Sequence, residues 1–128
     1  MNKSLKALLL GLLRYDYVIE SGTDSNGWHY KKYSSGKLEA ERSRNIGQYT
    51  LSTTEVSPIK VGGTVTSALP SFAVNGDLEI SLSGNSSNSA IFLERISPTS
   101  WRVAKVTSSN VTLQDLTVIE RTVGATWK

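Results

Sequence analysis

Two glutamates set two residues apart, Glu39 and Glu41, are the pair best placed to do acid–base chemistry. On an extended strand such residues share a face about 7 Å apart, and hydrolysis by two carboxylates needs an acid and a partner at a fixed separation. Any Glu-x-Glu in a strand meets that condition, and neighbouring Lys37 and Arg42 suit two solvated carboxylates equally well. A glycan hydrolase would further need Glu39, Glu41 or Asp77 in a cleft with a raised pKa. Nucleophilic chemistry has less to work with. The one histidine, His29, lies between Trp28 and Tyr30, and the chain has no cysteine and no G-x-S-x-G elbow. Asp24-Ser25-Asn26-Gly27 opens like a calcium loop but lacks the further acidic ligand and terminal glutamate, so a turn is expected there. Gly62-Gly63 lacks the lysine and the strand-to-helix context of a phosphate loop. The expectation is a protein without catalytic residues, metal or cofactor.

Aromatic side chains offer binding chemistry instead. Trp28, Tyr30, Tyr33 and Trp101 fall on or beside predicted strands and are the candidate ligand-binding residues. Exposed aromatics beside polar groups stack on sugars and build protein interfaces, whereas buried ones fill a core. Trp28 and Tyr30 share a face of their strand, so one environment governs both.

The elements that must hold these residues follow from periodicity. Ser4 can cap a helix on which Leu5, Leu8, Leu9 and Leu12 fall on one face, so residues 1–14 read as a short amphipathic helix. A helix this short is not stable alone in water. Its stripe packs either on the domain's own core or on the same helix of neighbouring subunits, as a trimer neck. The basic start and short apolar run also resemble a signal peptide, but no small-x-small cleavage site follows, and the run is too short to span a bilayer.

From Tyr15 onward the period is two, and residues 15–128 read as a single β-sandwich domain. Strands are expected at 15–20, 28–33, 37–44, 49–54, 64–69, 78–82, 90–96, 101–107 and 111–122. Turns are expected at 21–27, 34–36, 45–47, Asn75-Gly76-Asp77, 83–89, 97–100 and 108–110. About eight or nine short strands at roughly ten-residue spacing, with no helical crossovers, predict an all-β, antiparallel sandwich or jelly-roll-like fold. Fourteen basic against eleven acidic residues give a net charge of +3, with Glu39 and Glu41 diluting the one basic stretch. A nucleic-acid partner is therefore not expected, nor is membrane insertion.

The segment Asp16-Tyr17-Val18-Ile19-Glu20-Ser21-Gly22-Thr23, followed by Gly27-Trp28-His29-Tyr30-Lys31-Lys32-Tyr33-Ser34-Ser35-Gly36-Lys37-Leu38-Glu39, resembles one found in tail and minor structural proteins of phages and prophages of Gram-positive bacteria. It differs in having Tyr33 where tryptophan is common and Glu41 where a tryptophan often follows the glutamate. The resemblance covers residues 16–39 and implies a β-hairpin early in a β-rich, commonly trimeric module of a fibre, baseplate or head decoration. It carries no active-site residues. The expectation is thus a virion protein that partners itself as a homotrimer and contacts a host-surface glycan or other virion proteins. The alternative is a monomeric carbohydrate-binding module, secreted or on the bacterial surface.

Overall fold

The computed structural model describes residues 16–83 and 90–128. The expected helix over residues 1–14, with Leu5, Leu8, Leu9 and Leu12, lies outside the described residues, as does most of the expected loop at 83–89. Among the described residues the chain forms ten strands: β1 Val18–Thr23, β2 His29–Tyr33, β3 Lys37–Leu51, β4 Thr53–Val56, β5 Ile59–Val61, β6 Val65–Thr66, β7 Asn75–Ser83, β8 Ile91–Ser97, β9 Ser100–Val106 and β10 Val111–Thr126. They make two antiparallel sheets. The larger runs β1-β2-β3-β10-β7. In the smaller, β9 carries β8 on one edge, with β5 and β6 end to end on the other, and β4 beyond β5. The all-β, antiparallel class is the one expected from the alternation.

Two strands are far longer than the sequence pattern suggested. β3 and β10, of 15 and 16 residues, pair with each other from Lys37↔Thr126 to Leu51↔Val111. The break expected at Asn45–Gly47 is instead a bulge inside β3. Gly47 adopts φ +85°, open to glycine, and its N–H donates to Asn45 Oδ1 at 2.7 Å, so the strand bends and continues. Likewise Asn75-Gly76-Asp77 is no turn but the start of β7, with Asn75 paired to Thr126.

The inward side chains of β3 and β10 form two apolar clusters. One joins Tyr49, Leu51, Leu113, Leu116 and Val118 of the larger sheet to Trp101 and Val103 of the smaller. The other gathers Trp28, Ala40 and Leu78, with Tyr30, Leu69, Phe72 and Ile80 against them. Between them the same inward phase carries charge. Glu120 is 0% exposed, and it accepts from Arg42 Nε at 2.6 Å and from Arg44 Nη1 at 3.3 Å. Arg42 also stacks 4.6 Å over the Trp28 ring, and Arg44 Nη2 donates to Thr66 O of the smaller sheet at 3.0 Å. A fully buried carboxylate is costly unless it is paired and hydrogen-bonded; here two guanidiniums meet it, and each has further partners.

Tyr49 locks the sheets at the other end of β3. Its hydroxyl donates to Gly63 O at 2.7 Å and accepts from Val103 N–H at 3.0 Å, while burial holds the phenol above its ordinary pKa. The hydroxyl end of the ring lies against Gly62, where a Cβ would come within 2.2 Å of it.

Two outcomes follow. Glu120→Gln strands two partly buried guanidiniums and lowers stability by about 3–5 kcal/mol. In urea melts this moves the midpoint at unchanged slope; a loss under about 1 kcal/mol would mean the arginines find other acceptors. Gly62→Ala overpacks a ring pinned at its hydroxyl and costs about 3 kcal/mol. Tyr49→Phe in that background recovers part of the loss by freeing the ring to shift.

Candidate functional site

The outward face of the larger sheet is built on the opposite phase of the same strands. Because pairing fixes which residues stand side by side, a single row crosses all five strands: Thr23, His29, Glu41, Arg121 and Glu79 stand directly opposite one another on β1, β2, β3, β10 and β7. At strand spacings of about 4.8 Å the row is about 19 Å long. Thr23 Oγ1 and His29 Nδ1 are 2.8 Å apart. Arg121 lies between two carboxylates, with Nε 3.0 Å from Glu41 Oε2 and Nη1 3.6 Å from Glu79 Oε1. The bond to Glu41 is the main reason the guanidinium is held above its ordinary pKa.

A second row lies beside the first. Ser21, Lys31 and Glu39 are opposite one another on β1, β2 and β3. Lys31 thus stands directly opposite Glu39, but the carboxylate is bonded to other groups. Lys37 Nζ lies 2.9 Å from Glu39 Oε1, and the Tyr33 hydroxyl donates to Oε2 at 3.0 Å. These two bonds, Lys37 first, hold Glu39 below its ordinary value of 4.5, and the same contacts push Lys37 and Tyr33 up. Beyond the second row β10 bulges: three residues, 122–124, span the gap between its pairings of Arg121 with Glu41 and Ala125 with Leu38. Val123 there stands 47% exposed. From β1 to β10 the rows, with the bulge, line a groove of about 740 Å³ on this face; Glu79 of β7 lies outside it.

The arrangement says what the Glu39–Glu41 pair can do. The two carboxylates share a face, as expected, but each is bonded to a cation, and Glu39 is shifted down, opposite to what a general acid requires. They serve as fixed acceptors. Asp24 is a turn residue, its Oδ1 accepting from Asn26 N at 2.9 Å and Trp28 N at 2.8 Å. Among the described residues no three His, Cys, Asp or Glu side chains converge as metal ligands.

The four candidate aromatics divide. Trp28 is 2% exposed and Trp101 0%, the latter donating from Nε1 to Ser67 Oγ at 2.8 Å, so both indoles belong to the core and present no face to a ligand. Tyr30 is half-buried, its ring 4.8 Å from Phe72. Tyr30 also lines the groove, while Tyr33, likewise half-buried, reaches it through the hydroxyl that donates to Glu39. Arg121, Glu79 and Thr23 were not singled out from the sequence. Thr23 enters through the short β1–β2 hairpin, and Arg121 and Glu79 only through long-range pairing, which the spacing along one strand does not reveal.

Comparison of the chain with protein-family models, curated proteins and solved structures found no match.

The segment 16–39 has a physical unity of its own. The Asp16 carboxylate accepts from Ser35 N at 3.0 Å, Ser35 Oγ at 2.8 Å and Ser34 Oγ at 3.2 Å, so the start of the segment caps the Ser34-Ser35-Gly36 turn near its end. Slight desolvation pushes Asp16 up, but those bonds and the Lys37 charge together hold it below its ordinary value.

Glu39 gives a pH test. Its carboxyl is lowered on folding, so its stabilising effect is complete above its unfolded pKa and disappears as pH falls through the lower folded value. Glu39→Gln therefore flattens the decline of Tm with acid below pH 4.5, and in the parent protein the Glu39 carboxyl titrates below 4.5 by NMR. Titration at or above that value would remove the Lys37–Glu39–Tyr33 cluster as a fixed feature.

Proposed function

We propose that the chain is a non-enzymatic structural or host-receptor-binding module of a phage or prophage particle, with a sandwich or jelly-roll-like domain assembled as a homotrimer at a fibre or baseplate tip. The observation that carries this reading is the state of β1. All six of its residues are exposed, and Tyr17, Val18 and Ile19 together leave a large apolar surface in water at 50%, 43% and 49% exposure. In the sequence that surface follows the stripe of Leu5, Leu8, Leu9 and Leu12 after Leu13, Arg14, Tyr15 and Asp16. Contiguous exposed apolar surface marks contact sites in proteins that are otherwise well packed. A chain that associates through its N-terminal leucines would draw Tyr17–Ile19 into the same interface. The likeness of residues 16–39 to phage structural proteins supports the virion setting.

The second reading, a monomeric carbohydrate-binding module, is favoured by the groove on the outward face. It is weakened by the burial of Trp28 and Trp101, which removes the planar aromatic strip such modules use.

Light scattering after size exclusion tests the assembly, on the full chain and on a version starting at Arg14. The full chain runs as a trimer, and the shortened chain falls to monomers. A full chain that is monomeric at about 100 μM, a concentration at which even a weak complex with Kd near 1 μM forms, overturns the trimer. Within the full chain, Ile19→Asp weakens the trimer without unfolding the domain, because the residue is half exposed in the isolated subunit.

A further inference from the structure

The groove on the larger sheet is a concavity that the assembly reading leaves unused, and its chemistry restricts what can occupy it. Three cations, Lys31, Lys37 and Arg121, face two carboxylates, Glu39 and Glu41, with the signs interleaved along and across the strands. An anionic ligand such as a phosphate or uronate would meet Glu39 and Glu41, and the former is held firmly ionised by Lys37 and Tyr33. A cationic ligand would meet Arg121, Lys37 and Lys31. An apolar ligand would cover the apolar part of the lining but would strip water from all of these charged groups.

What remains is a neutral molecule rich in hydrogen-bonding groups, and the site is prepared for one. A carboxylate offers about four acceptor positions; the bonds above occupy two on Glu39 and one on Glu41. Both are fixed in orientation by cations, so paired hydroxyls meet acceptors that need no reordering. Donors stand beside them in Lys31 and in the Thr23–His29 pair. The β10 bulge adds the second requirement, an apolar floor: Val123 projects beside the polar rows, suited to the C–H face of a sugar ring. At about 740 Å³ the groove falls within the range of about 300–1,000 Å³ usual for small-molecule sites.

We propose that this groove binds an uncharged oligosaccharide, with Glu39 and Glu41 accepting from its hydroxyls and Val123 packing against a ring face. The proposal builds on the receptor-binding half of the reading above but not on the trimer, since the groove lies within one subunit. Neither candidate tryptophan takes part.

The experiment is a titration of the isotopically labelled full chain by NMR with four uncharged probes, the hexasaccharides of maltose, cellulose, chitin and β-1,4-galactan. Polygalacturonate and inorganic phosphate serve as charged controls. At least one uncharged probe shifts the amides of residues 29–41 and 121–125, with Kd near or below about 1 mM. Glu41→Gln then weakens that probe about tenfold, the loss of one charge-assisted hydrogen bond, and Val123→Asp abolishes binding. Unchanged melting curves in both variants separate lost contacts from lost fold. Saturation by phosphate or polygalacturonate alone, or no shift in these residues with any uncharged probe, overturns the proposal. A trimer that fails the titration sinks only the groove, and a monomer that passes it sinks only the assembly.

Discussion

The fold is organised around a carboxylate that water does not reach. Glu120 sits near the middle of β10, in a phase whose other members are leucine, valine, threonine and alanine, and it is tolerable there only because Arg42 and Arg44 approach from β3. That requirement fixes the register of the two longest strands, since sliding either by one residue would turn the charges to the wrong face. It also divides the core. Tyr49, Trp101 and their neighbours lie on one side of the charged layer, and Trp28 and Leu78 on the other. Further bonds from the arginines reach Asn26 O in the first turn and Thr66 O in the smaller sheet, so one buried charge ties three parts of the chain together.

The outward face of the larger sheet inherits its order from that register. Once Arg42 and Glu120 are opposite one another within the core, Glu41 and Arg121 must be opposite one another outside it. The row from Thr23 to Glu79 is therefore the external image of the internal pair. Exposed ion pairs of this kind contribute little stability singly. Their value lies in holding side chains still, which is what a recognition surface needs.

How much of this the sequence disclosed depends on how far apart the partners are. Alternation from Leu78 to Leu82 and from Val111 onward marked strands, because one buried face is written into neighbouring residues. Asn45–Gly47 and Asn75–Gly76 looked like chain reversals, since a bulge and a turn favour the same residues and differ only in what pairs alongside. The long union of β3 with β10 joins residues about eighty positions apart, and no local pattern encodes it. One signal was there to be used: Glu120 stands in phase with Leu116, Val118 and Thr122, and a charge on an apolar phase calls for a buried partner. The aromatics were ambiguous for a related reason. Trp28 has the composition of a binding residue and the environment of a core residue, and its burial against Ala40 and Leu78, with Arg42 over its ring, decides between them. The groove combines residues from four strands, so its outline could not be drawn before the strands were ordered.

The Ser34–Gly36 turn is where the described chain both begins and ends. Asp16 caps it, Trp127 N–H donates to Gly36 O at 2.9 Å, and Lys128 Nζ reaches Ser34 O at 3.2 Å. Anything tethered through either flank of the domain would thus pull at a single pole. Tension between the two flanks would act first on the contacts of this turn rather than through the length of the sheets. The opposite pole, where β3 passes into β4 and Ser108–Asn110 leads into β10, would swing free as the end presented to the surroundings.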